Sequence, residues 1–272
     1  MYKRQSQNNL FDKHHVPIDR LINPEQVVTD QITELLSHPG ALEVLDFAEG
    51  RVQLVAMRAY LGGPLVGQAL RFLSEHMPNI DTRVAAIFRR GQPIIPTGDT
   101  VIETDDEVFF IAAREHITAV MGELRKAEKP YRRVIIAGGG NIGTRLANDT
   151  EDSYDVRIME VNPERAQNLA DQLNQAVVIQ GSATDRDLLL DENIDQCDAF
   201  CAVTDDDEIN VMSSLMAKRL GARQVVTLIG KPAYVDLVQG SEIDVAISPQ
   251  QATIGTLSVS YTHLRAHETL TD

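Results

Sequence analysis

Cysteine is scarce in this chain, and no apolar run is long enough to cross a bilayer. Cys197 and Cys201 are the only two cysteines in 272 residues. They sit in CDAFCAV, which reads as a buried strand, so both are expected to be small core residues of a reducing cytosol. The nearest histidines in sequence are far away, which leaves no ligand set for a metal. A bilayer span needs roughly 18 apolar residues; without one, any membrane role comes through a partner. No apolar stretch follows the basic residues at the N-terminus, so no signal peptide is expected. Basic residues are outnumbered, with 25 Lys and Arg against 40 Asp and Glu and a net charge of −15. That balance argues against nucleic acid as a partner, because phosphate binding needs basic patches. It also disfavours adsorption to anionic lipid.

What is present is two kinds of alternation, in a length that suggests two domains. Residues 25–37 read as an amphipathic helix stopped by His38-Pro39-Gly40. ALEVLDFAEG and RVQLVAMRAY are alternating strands joined at Glu49-Gly50. Pro64–His76 reads as a helix with Leu65, Ala69, Phe72 and Leu73 on one face. A strand from Thr82, a turn at Arg90-Gly91, the strand DEVFFIAA and a closing helix over Arg114–Lys129 complete a small α+β domain at 41–128. From Tyr131 the pattern becomes strand–helix–strand–helix, with wholly apolar strands. This implies an α/β fold built on a doubly wound, parallel Rossmann-like sheet.

The first turn of that second domain carries a motif. GGGNIG (Gly138, Gly139, Gly140, Asn141, Ile142, Gly143) fits G-x-G-x-x-G, follows the strand VIIA and opens a helix. Gly138 suits the tight turn, Gly140 lets a pyrophosphate approach the backbone, and Gly143 lets helix and strand pack closely. The N–H groups of Asn141 and Ile142 belong to a helix N-terminus, where phosphate binds. Glu160 ends the second strand, where an acid accepts bonds from ribose hydroxyls and repels a 2′-phosphate, so NAD(H) is favoured over NADP(H). Arg157 and Arg165 are near in sequence, but neither replaces the acid. The third and fourth strands end in GSATD and TDDDE. Ser182, Ala183, Thr204 and Asp205 either contact ribose and adenine or, in the case of the Asp205–Asp207 run, cap the next helix; both roles stay open. A dehydrogenase also needs an acid–base residue beside the nicotinamide. No histidine occurs between His116 and His263, and no Tyr-x-x-x-Lys pair follows the fourth strand. No catalytic residue is therefore assigned.

Two further features concern organisation. MYKRQ at 1–5 and the segment 259–272 resemble the two orientations of a transposon-based sequencing adapter translated in frame. They are set aside as scars, which would make the chain a fragment. IDRLINPEQ at 18–26 and IDVAISPQQ at 243–251 match at Ile, Asp, Ile, Pro and Gln. Asn23 and Ser248 are expected N-caps before helix-opening prolines. The echo reads either as chance or as tandem units about 225 residues long. On the tandem reading, 6–40 is the tail of a first Rossmann lobe. The helix at 25–37 then lacks its own sheet and is expected to reach away from the lobe at 131–258, and the chain to self-associate.

FAEG at 47–50, GGPLVG at 62–67, HMPNIDTRVAAIFR at 76–89, DEVFFIAA at 106–113, GGGNIG at 138–143 and AYVDLVQGSEIDVAISPQQATI at 233–254 resemble the TrkA family of RCK proteins. The resemblance covers about residues 6–258. It implies an RCK C-lobe (TrkA_C) at 41–128, then a Rossmann RCK N-lobe (TrkA_N) at 131–258. The family's dinucleotide positions carry over to Gly138–Ile142, Glu160, Thr204 and Asp205. Two departures stand out. Gly181-Ser182-Ala183 replaces a common Gly-Asp-Ala and loses a ribose acceptor. Asn148, Asp149 and Thr150 stand where basic and large apolar residues are expected, which weakens the helix's packing. The resemblance implies a cytosolic regulator of potassium transport on the inner face of the plasma membrane. It would bind NAD(H), and ATP or ADP as further ligands, and form a homo-oligomeric ring on an integral-membrane TrkH- or TrkG-like subunit. The other readings are an NAD-dependent oxidoreductase and a regulatory subunit of a cation/proton antiporter.

Overall fold

The computed structural model describes residues 22–125, 129–238 and 242–255. Both adapter-like ends and the first four residues of the echo lie outside them. Helix α1 covers Pro24–Ser37. Asn23 caps it, its side chain accepting the Glu25 N–H at 3.0 Å, and Pro24 occupies the first turn, where its missing N–H costs nothing. Val28, Ile32, Leu35 and Leu36 recur at helical spacing and are buried. Each contributes about 2 kcal/mol by leaving water.

The first lobe is a five-stranded antiparallel sheet in the order β1-β2-β5-β3-β4. Its elements are β1 (Ala41–Phe47), β2 (Val52–Arg58), α2 (Leu73–His76), β3 (Thr82–Arg89), β4 (Gln92–Ile94), β5 (Glu107–Ala113) and α3 (Ile117–Gly122). Two expected helices are shorter than read. Of Pro64–His76 only 70–76 is helical. Val66 and Ala69 instead bridge to Ile102 and Val101, and Gly67 donates its N–H to the Ile102 carbonyl at 2.7 Å with φ +86°. The closing helix also stops early: the Glu123 and Leu124 carbonyls accept N–H bonds from Leu65 and Tyr60. In both places backbone pairing with a distant segment outweighs a local apolar pattern.

The second lobe is a six-stranded, wholly parallel sheet in the order β11-β10-β9-β6-β7-β8. It comprises β6 (Arg133–Ala137), α4 (Asn141–Thr150), β7 (Asp155–Glu160), α5 (Pro163–Gln172), β8 (Val177–Gln180), α6 (Arg186–Asp191), β9 (Ala199–Ala202), α7 (Asp207–Arg219), β10 (Gln224–Leu228), α8 (Pro232–Val238) and β11 (Val245–Ile247). β6 feeds two cores, as a strand covered on both faces must. Val134 and Ile136 pack with Leu146, while Ile135 and Ala137 pack with Phe200 and Val225. The expected weakness at the end of α4 is offset locally. Thr150 is buried, but its hydroxyl donates to the Leu146 carbonyl at 2.5 Å, and Asn148 is exposed. Ser248 does not act as the expected side-chain cap: its hydroxyl is buried with no hydrogen-bond partner among the described residues.

The placement of α1 corrects the expectation that it reaches away from this lobe. α1 packs against both α4 and β1. Its apolar stripe shares one core with Leu146 and Ala147 on one side and with Val44 and Val55 on the other. An apolar stripe without its own sheet takes the nearest cover, and α4 supplies it. Glu25 accepts from Asn141 Nδ2 at 2.9 Å, and Gln26 from Arg145 at 2.6 Å. A second tie between the lobes is Tyr131. Its hydroxyl accepts the Gly40 N–H at 3.0 Å and donates to Gln224, whose amide donates to the Ala41 carbonyl at 2.9 Å. Burial pushes the Tyr131 phenol up to about 12.

Candidate functional site

Sheet order reverses between β6 and β9, and their carboxyl ends diverge there into a crevice. A cavity of about 690 Å³ opens at this point. Ten of the eleven residues singled out from the sequence line it: Gly138, Gly139, Gly140, Asn141, Ile142, Glu160, Ser182, Ala183, Thr204 and Asp205. Gly143 does not, and stands behind the loop.

The glycines have separate physical tasks. Gly138 has φ +112°, and a Cβ there would lie 2.9 Å from Thr204. A Cβ on Gly143 would lie 1.8 Å from the Gly138 carbonyl oxygen, so the first turn of α4 sits directly against the end of β6. Gly140 has nothing within 4 Å of its Cβ position. Its backbone therefore faces open space in the cavity. No side chain caps α4, which leaves N–H groups of its first turn without a side-chain partner at the cavity, an arrangement that suits an anion. Gly139, to which the motif assigns no role, is needed because a Cβ would meet Leu169 at 2.4 Å and the Glu160 carboxylate at 2.8 Å.

Glu160 is more enclosed than the sequence suggests, with 3% of its side chain exposed. Its carboxylate accepts the Gly139 N–H at 3.0 Å and the Asn162 N–H at 2.7 Å, and takes Arg165 at 3.2 Å. The acid is thus locked beneath the glycine loop before any ligand arrives. Arg157 points elsewhere, to Glu192 and Asp155.

The acidic run after β9 divides its labour. Asp205 lines the cavity. Asp206 caps α7, accepting the Ile209 N–H at 2.9 Å. Asp207 accepts the N–H groups of Gly230 and Lys231 at 2.7 and 2.9 Å, tying down the end of β10. Thr204 is held by Asn210, which accepts both its N–H and its hydroxyl and donates to the carbonyls of Thr204 and Leu228. Asn210 is a buried amide in a helix interior, a signal the sequence carried without context. The Ser182 hydroxyl lies 2.8 Å from that of Thr184 and is used in its own turn.

Sequence reasoning missed Glu25 altogether as a lining residue and discounted Arg165. Glu25 comes from α1, outside the Rossmann lobe, and reaches the rim through Asn141. Among the described lining residues, Glu25, Glu160 and Asp205 are acidic, Arg165 is the sole Lys or Arg, and none is His, Tyr or Cys. Cys197 and Cys201 are buried. Burial raises both thiols, Cys197 to about 12. No cluster among the described residues could hold a metal, and no described helix is long and apolar enough to cross a membrane.

Residues 134–249 match the TrkA-N domain and residues 54–125 the TrkA-C domain. The chain is 63% identical over 260 residues to the Trk system potassium uptake protein TrkA of Halomonas elongata, a match covering 96% of this chain and 56% of that protein. It spans about half the length of the curated relatives it matches. In fold it is similar to the GsuK RCK domain, with a TM-score of 0.62, 16% identity and coverage of 91% of this chain and 53% of that one. It is also similar to a GsuK channel solved bound to NAD, with a TM-score of 0.58, 16% identity and coverage of 88% and 43%.

Proposed function

Because the chain belongs to the TrkA family, we propose that its cavity binds NAD(H) as a regulatory ligand, and that the protein is the cytosolic nucleotide-binding subunit of a potassium-uptake system. The observation that carries this reading is the open backbone at Gly140 beside the uncapped N-terminus of α4, with the locked Glu160 on the ribose side. The GsuK channel, which shares the fold, is described as bound to NAD, and we extend that ligand to this chain. ATP and ADP share the phosphate chemistry of the loop and are further ligands. The cavity lacks a His, Lys, Tyr or Cys among its described lining residues, which supports binding without turnover.

The ligand acts by differential affinity for two arrangements of the lobes, the only way binding can shift an equilibrium. Loop 138–142 bonds α1 through Asn141 and Glu25, and α1 packs on the small lobe. Occupancy is therefore felt outside the Rossmann lobe. The partner is an integral-membrane potassium subunit of the TrkH or TrkG type, held on the inner face of the membrane by a ring of such lobes. Calorimetry with NADH tests the ligand. Gly140→Asp places a carboxylate where the phosphate goes, yet aspartate suits a helix N-cap. It should weaken NADH about 100-fold or more without lowering the unfolding temperature, and abolish regulation of potassium uptake in the full-length protein. NADH binding unaffected by the substitution, or turnover of NADH with a substrate, would overturn the reading.

A further inference from the structure

We propose that Arg165 reads the 2′ position of the adenosine ribose, so that the Glu160–Arg165 pair, and not Glu160 alone, sets how the site divides NAD(H) from NADP(H). This rests on the dinucleotide reading above. In Rossmann sites an acid at the end of the second strand serves the 2′-hydroxyl of NAD, and a nearby Arg accommodates the 2′-phosphate of NADP. Here both are present and in contact, at 3.2 Å.

Their states differ. Glu160 is almost wholly buried and fixed by two backbone N–H groups. Arg165 is held at its backbone, where the Asn162 cap accepts its N–H at 2.9 Å, and by its one bond to Glu160, while 55% of its side chain is exposed. Its guanidinium has five donors and spends one on Glu160. It can therefore keep Glu160 and still present a fork to a phosphate. It is also the sole Lys or Arg among the described lining residues, in a cavity that otherwise carries Glu25, Glu160 and Asp205. Among the described lining residues, a 2′-phosphate beside Glu160 has no other counter-charge. With Arg165 in place, the repulsion that the acid alone would impose is partly cancelled, and NADP(H) becomes a tolerated ligand of this site.

The test is titration of the whole chain with NADH and NADPH, comparing the unmodified protein with Arg165→Ala, Arg165→Lys and Glu160→Gln. The unmodified chain should prefer NADH by less than about tenfold. Arg165→Ala should weaken NADPH about tenfold while moving NADH less than about threefold, and Arg165→Lys should recover part of the loss. Glu160→Gln should shift the ratio the other way, and added salt should weaken NADPH more than NADH. An unchanged ratio in Arg165→Ala, or an equal loss of both cofactors, would overturn the proposal. Binding of neither cofactor to the unmodified chain would overturn the dinucleotide reading itself, and this proposal with it.

Discussion

Both lobes bury a carboxylate on three donors, but to different ends. In the small lobe Asp106 is fully buried and accepts Arg89 through Nε and Nη2, each at 2.8 Å, and the Glu103 N–H at 2.8 Å. The same guanidinium bonds the Glu103 carboxylate and the Val101 carbonyl, and these carboxylates hold it above the ordinary arginine range, the Asp106 hydrogen bond most of all. Every donor in that knot belongs to the lobe's own strand β3 and the turn before β5. In the Rossmann lobe Glu160 is nearly as enclosed, yet it borders a cavity of about 690 Å³ and one of its donors, Arg165, is half exposed. A buried acid is therefore not a site by virtue of burial. What separates the two is whether the surrounding backbone closes over the acid or opens beside it.

The comparison breaks most visibly at Asp106. Asp106→Ala leaves the half-buried Arg89 guanidinium without its main partner and the Glu103 N–H without its acceptor, and should cost about 3–4 kcal/mol, read as a fall in the urea midpoint at constant slope. NADH affinity per folded molecule should stay within about twofold. A parallel loss of affinity would mean that the two lobes do not divide structure from binding.

Ile32→Ala addresses how separate the lobes are. Ile32 is fully buried in the core shared by α1, α4 and the small lobe, and its truncation should cost about 2–4 kcal/mol. One cooperative unfolding transition is expected, because α1 touches both lobes. Two resolved transitions would show that α1 does not join them.

The smallest effect sharpens the distinction within the Rossmann lobe. Burial would raise the Glu151 carboxyl, but the N–H groups of Gln175, Ala176 and Asn174 hold it below its ordinary value. A carboxyl lowered on folding stabilises the protein above its unfolded pKa of about 4.3, and that contribution fades as pH falls through the folded value. Glu151→Gln should therefore flatten the loss of stability on acidification below about pH 4.5 and leave NADH binding near neutrality unchanged. A variant as acid-labile as the parent would remove Glu151 from the account.

The legible parts of this molecule are those whose physics is local. Asn23-Pro24 starts α1 because a side-chain cap and a missing N–H act within one turn. The glycine loop is legible because strand, turn and helix follow each other without interruption, and the positive φ at Gly138 and the close contact at Gly143 are properties of that turn. Wholly apolar strands alternating with helices announced the parallel sheet for the same reason. The sequence could not show that Val66 and Ala69 would bridge to Ile102 and Val101, because a helical apolar pattern and a buried irregular segment look alike until the partner is known. Nor could it show which arginine faces the cavity: Arg157 and Arg165 flank the same acid, and only the packing of α6 and its following turn gives Arg157 to Glu192.

The sequence by itself determined the strands of the parallel sheet, the Asn23 cap of α1 and the glycine turn after β6, since each depends on residues within a few positions of one another. Tertiary structure decided that α1 would cover α4, that Glu25 would reach the rim of a cavity built more than 100 residues later, and that Glu160 would be locked to Arg165 and Gly139. Those outcomes depend on which surfaces meet, and burial of apolar area, which drives the meeting, carries no direction along the chain.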